Sequence, residues 1–90
     1  MEFIHEGKAF RHYNAAGEMD AEITYASKGE GVIEANHTFV DSSIRGQGVG
    51  RQLVDKLADF ARGENLKIHP TCPYVVALFE KSTEYDDVKI

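Results

Sequence analysis

The sequence predicts an α+β fold, an antiparallel meander continued by a strand-loop-helix-strand-helix unit. Apolar residues alternate with period two up to Val40, the period becomes helical from Gln47, and Pro73 heads a second apolar helical stripe. Phe3 to His5, Phe10 to Tyr13, Ala21 to Ala26 and Val32 to Val40 read as strands, joined through Asn14 to Glu18 and Lys28 to Gly31. In the last of them, strict alternation puts Ile33, Ala35, His37 and Phe39 on one face and Glu34, Asn36 and Thr38 on the other. Beyond Gln47, the residues Val49, Leu53, Leu57 and Phe60 share one helical stripe, Arg51, Asp55, Lys56, Asp59 and Arg62 face away, and Gly63 supplies the stop. Leu66 to His69 reads as a further strand, and the helix separating it from Val40 favours parallel pairing through a crossover. Pro73 suits the first position of a helix running to Lys81, with Val75, Val76 and Phe79 towards the sheet. Thr83 to Ile90 receives no assignment.

Ninety residues suit one domain, 1–90, since two cores of half that size would each be too small to hold together. Ten Lys and Arg against fifteen Asp and Glu leave a net charge of -5, which argues against a generic binder of nucleic acid or anionic membrane. The only cysteine, Cys72, cannot form an intramolecular disulfide, and no apolar run resembles a signal peptide or a span, so a reducing cytoplasm is the expected setting. His5, His12 and His69 share no metal-ligand spacing with Cys72, and no metal is expected.

The segment Arg45-Gly46-Gln47-Gly48-Val49-Gly50 lies between a strand and an amphipathic helix. Glycines in alternation let the backbone approach a ligand closely, and the unpaired amides of the helix's first turn carry the positive end of its dipole. Such a loop cradles a pyrophosphate, with Arg45 and Arg51 adding charge. The competing reading is a glycine-rich turn with no ligand. Lys-Ser or Lys-Thr does not follow the last glycine, so this is no P-loop, and the glycine spacing and the preceding meander exclude a dinucleotide-binding fingerprint.

Arg45, Gly48 and Gly50 fill the pattern of Arg or Gln, two residues, Gly, one residue, Gly or Ala. With His37-Thr38 before it, Cys72-Pro73-Tyr74 after the next strand and Glu84-Tyr85 near the end, the chain resembles the small single-domain GNAT acyltransferases that carry a cysteine in the site. The resemblance implies a minimal GNAT-like acyl-CoA N-acyltransferase fold, with the fourth and fifth strands splayed. It also implies acetyl-CoA as cosubstrate, pyrophosphate on the amides of Gly46, Gln47, Gly48, Val49, Gly50 and Arg51, and pantetheine along Phe39 and Val40. The acceptor would be a primary amine of unknown identity.

Typical members of that family place an Asn and, seven residues later, a proton-donating Tyr, where this chain has Cys72 and Phe79. Cys72 then acts either as the acid or as a nucleophile that takes the acetyl group, and its position before Pro73 favours the thiolate. The plainer reading is a buried small hydrophobe. His37 is the candidate base for the incoming ammonium and Glu34 the alternative, against an imidazole bonded within the sheet and a solvated acid. Tyr74 borders the site or is simply half-buried. The rival to a transferase is a CoA or acetyl-CoA binding module without turnover.

Overall fold

The computed structural model describes Met1–Ile90. Its elements are β1 (Ile4–Glu6), β2 (Ala9–Tyr13), β3 (Met19–Gly29), β4 (Val32–Val40), a 3-10 turn at Ser42–Ile44, α1 (Val49–Gly63), β5 (Lys67–Pro70) and α2 (Pro73–Lys81). The strands form one sheet in the order β1-β2-β3-β4-β5. The first four run antiparallel, and β5 joins β4 in parallel, as a helical crossover requires. β4 and α2 keep the expected bounds, whereas β3 runs further at both ends, pairing Met19 with Tyr13 and Gly29 with Val32.

Three register shifts interrupt the meander. One lies opposite His12 and Tyr13, where Asp20 is the extra residue of β3. Asp20 is the one buried charged residue, and His12 Nδ1 lies 2.6 Å from its Oδ1, which satisfies a carboxylate that burial would otherwise penalise.

The core sits between the sheet and α1. Ala21, Ile23, Tyr25, Ile33, Ala35 and Ile68 form the covered face, and Val49, Leu53, Val54, Leu57, Ala58 and Ala61 pack onto it. Phe60 is only half-buried and instead meets His5, Phe10 and Tyr25 edge-on or tilted, with centroids 4.9, 5.6 and 5.5 Å away. From α2 the buried residues are Val75, Leu78 and Phe79; Leu78 takes the inward position expected of Val76.

Residues 83–90 add a rim to β5. Ile68 N–H donates to the Val88 carbonyl at 2.6 Å, and Ile90 N–H returns to the Ile68 carbonyl at 3.1 Å. Arg62 grips both Asp87 oxygens at 2.7 and 3.0 Å and the Glu84 carbonyl at 2.9 Å. Its guanidinium holds the Asp87 carboxyl below the usual carboxylate range. Tyr85 is 1% exposed, and its hydroxyl donates to Asp55 of α1. No helix is long and apolar enough to cross a membrane.

Tyr85 thus joins the rim to the core. Tyr85→Ala is expected to lower unfolding free energy by about 3–5 kcal/mol, read from urea denaturation, as for other large buried aromatics.

Candidate functional site

The ladder between β4 and β5 stops at Ala35 opposite Pro70. There the Ala35 carbonyl accepts from the amides of both Thr71 and Cys72, each at 3.0 Å, and the chain turns into α2. The next residue of β4, Asn36, is extra, since Tyr25 pairs with Ala35 but Thr24 pairs with His37. This bulge reverses the alternation. Thr38 and Val40, paired with Ile23 and Ala21, now face the helices, while His37 and Phe39, paired with Thr24 and Glu22, face the other side. The expected grouping of Ile33, Ala35, His37 and Phe39 on one face is therefore wrong beyond Ala35.

Beyond the fork, β4 runs on to Val40 without β5 beside it, and a groove of about 410 Å³ opens there. Seven of the expected cofactor residues line it: Phe39, Val40, Arg45, Gly46, Gly48, Val49 and Gly50. Thr38 and Tyr74 complete the wall. Gln47 and Arg51 are not part of it. The Arg51 side chain turns away to pair with Glu84 and, at 3.7 Å, with Asp55, and its guanidinium lies 5.6 Å from the Tyr85 ring centre. Only its backbone amide stays with the loop.

Gly46 and Gly48 have φ of 81° and 76°, backbone conformations that a side chain would strain. Gly48 caps α1 without a side-chain bond, and the first helical hydrogen bond runs from Gln52 N–H to its carbonyl at 3.1 Å. The amides of Val49, Gly50 and Arg51 precede that bond and have no acceptor within the helix, the arrangement that holds anions. Arg45 Nε donates to the Val40 carbonyl at 2.9 Å, which ties this cation to the end of β4. The groove thus joins the free end of β4 to an anion-holding helix end.

Cys72 caps α2 with φ -68° and ψ 128°. It lies directly behind the wall residue Thr38, whose Oγ1 is 3.4 Å from Sγ. Burial pushes the thiol up, but the Thr38 hydroxyl and the amides of Val75, Tyr74 and Thr38 outweigh it, so the thiol lies below its ordinary value. Pro73 offers no N–H, so the following amides of the first turn serve the sulfur. His37 is exposed on the opposite face, its Nε2 3.5 Å from Glu22 Oε2, and the structure does not bring it to Cys72. Glu34 accepts from Thr71 Oγ1 at 2.7 Å at the fork. Phe79 is buried and stacked on Tyr85 at 5.0 Å. No cluster of three or more His, Cys, Asp or Glu is placed to hold a metal.

Residues 9–88 match the family described as GCN5-related N-acetyl-transferase. The chain belongs to that family. Protein NATD1 of Gallus gallus is 34% identical over 55 residues, 61% of this chain and 50% of its own length; NATD1 of Homo sapiens is likewise 34% identical over 55 residues, 61% of this chain and 49% of its own length. The chain thus spans about half the length of these curated relatives. A GCN5-like protein of Staphylococcus aureus, solved by NMR, superposes with TM-score 0.84 and 32% identity over 99% of this chain and 87% of that one. A Mycobacterium tuberculosis protein crystallised with CoA shares the fold at TM-score 0.57 and 22% identity over 68% of this chain and 39% of that one.

The part of the site that the alternation pattern hid is Thr38, assigned to the wrong face because the bulge at Asn36 is silent in an alternation count. The sole local signal is Asn36 itself, a polar residue in the middle of the strand.

Two outcomes follow from this geometry. Gly48→Val is expected to weaken CoA binding at least about tenfold by calorimetry, because it strains the αL backbone that aims the amides. Gly63→Val, at a glycine with open space around it, leaves binding unchanged. The rate of Cys72 alkylation against pH is expected to have its midpoint below that of an unfolded control peptide carrying the same cysteine.

Proposed function

We propose that the chain binds acetyl-CoA and transfers its acetyl group to a primary amine. The observation that carries this reading is the fork itself: one groove joins an anion-holding helix end to the wall behind which a thiol of lowered pKa lies. Arg45 and the amides of Gly46 to Arg51 would hold the phosphates, and Phe39 and Val40 would flank the pantetheine arm. A β4 amide near Val40 polarises the thioester carbonyl.

A thiol held below its ordinary value has a larger share of the thiolate, the form that attacks a carbonyl. In this reading Cys72 Sγ attacks the acetyl carbonyl as the thiolate, the bond to the CoA sulfur breaks, and CoA leaves as the thiolate. The amine then forms its bond to the same carbonyl carbon, Cys72 is released as the thiolate, and the ammonium proton passes to solvent water. His37 stands on the opposite face of the sheet beside Glu22, so the proton it was expected to take has no direct route to it. A binding module without turnover is the second reading, favoured by Phe79, which is buried and has no proton to give.

Incubation with labelled acetyl-CoA and a panel of amines, polyamines and lysine peptides is expected to give acetylated amine; saturable binding without product would leave the module. Without amine, intact-mass measurement should find an acetyl adduct on the parent. Cys72→Ser should bind acetyl-CoA nearly as well while losing most transfer and the adduct. A fully active serine variant would rule out the covalent route.

A further inference from the structure

Gly50 is a glycine without a backbone reason. It lies in the first turn of α1 with no left-handed φ, where alanine is the better helix former. Gly46 and Gly48, by contrast, have positive φ and open space around them. Gly50 alone among the eight glycines has atoms within 4 Å of where a Cβ would stand, and the three nearest all belong to the Tyr74 side chain: Cζ and Oη at 3.0 Å and Cε2 at 3.3 Å. The missing side chain makes a notch, and the Tyr74 ring fills it.

Tyr74 has little structural use of that seat. It is 43% exposed, stands outside the buried core, and its hydroxyl has no partner among the hydrogen bonds of the protein. Its ring lines the same groove as Phe39 and Val40. Its backbone is committed elsewhere, since the Tyr74 amide is one of the donors to Cys72 Sγ. One residue therefore spans the interval between the thiol and the first turn of α1.

Resting on the cofactor reading above, we propose that Tyr74 is a positioning residue for the CoA thioester: seated in the Gly50 notch, its ring walls the groove alongside the pantetheine arm and its free hydroxyl donates to a polar oxygen of that arm. Burial raises the phenol above its ordinary value, helped by Asp55 and opposed by Arg51, so the hydroxyl keeps its proton at neutral pH. The glycine at position 50 then serves the tyrosine, and only through it the ligand.

A double-mutant cycle tests this with CoA and with 3′-phosphoadenosine 5′-diphosphate, which has the phosphates but no arm. Tyr74→Ala is expected to weaken CoA binding roughly tenfold, as for a lost hydrogen bond plus ring contact, and to change binding of the fragment less than about twofold. Tyr74→Phe should keep the ring and lose about threefold. Gly50→Ala should lower both melting temperature and CoA affinity in the parent, yet raise melting temperature and cost clearly less affinity in the Tyr74→Ala background, because the collision is gone and helix propensity is gained. CoA affinity unchanged in Tyr74→Ala, equal losses for CoA and fragment, or Gly50→Ala effects that simply add would each overturn the inference while leaving the cofactor reading intact. A parent protein that binds no CoA would overturn both.

Discussion

The carbonyl of Ala35 is the point on which the site depends. It takes the amides of Thr71 and Cys72 at once, so β5 cannot continue its ladder with β4 and the chain must leave the sheet there. Ala35 itself is fully buried under α1, which fixes the direction of that carbonyl. Cys72 is then tied on both sides of its Cα, by its amide to Ala35 and by its carbonyl to Val76 N–H at 2.9 Å. Each bond contributes only about 1 kcal/mol net, but together they set the position of the sulfur.

Electrostatics divides the same region. The protein carries a net charge of -5, and most of its guanidinium groups are occupied: Arg11 by Glu6 and Glu22, Arg51 by Glu84 and Asp55, Arg62 by Asp59 and Asp87. Arg45 is spent on a backbone carbonyl instead of a carboxylate. Of the four guanidinium groups, the one beside the glycine loop is thus the one with no carboxylate partner, next to the positive end of the α1 dipole.

Much of this was legible in the chain. β4 was bounded by Gly31 and by the end of its apolar run, α2 by Pro73 and Ser82, and the loop by three glycines whose spacing needs no tertiary information. Parallel pairing followed from the length of the crossover. The bulge at Asn36 was not legible, because one inserted residue leaves the local composition unchanged while exchanging the faces of Thr38 and His37. Residues 83–90 escaped for another reason: their order comes from Arg62, Lys67 and Asp55, residues about twenty or more positions earlier, and not from a periodic pattern of their own. For Arg51, charge near the loop suggested phosphate, whereas the nearer carboxylate of Glu84 took the side chain.

The rim formed by Val88 and Ile90 also covers part of the outer edge of the sheet. An open sheet exposes two rows of unpaired backbone groups, and a molecule with both rows free can add neighbours without end. Here Ile68 has its outward N–H and C=O already matched, so the β5 side is closed for that stretch, and Lys89 beside it adds charge. At the other edge of the sheet, β1 is only three residues long, with Ile4 half-exposed. The rim thus protects the outer strand of the parallel pair, and the row left on β1 is short and offers a neighbouring strand few backbone groups.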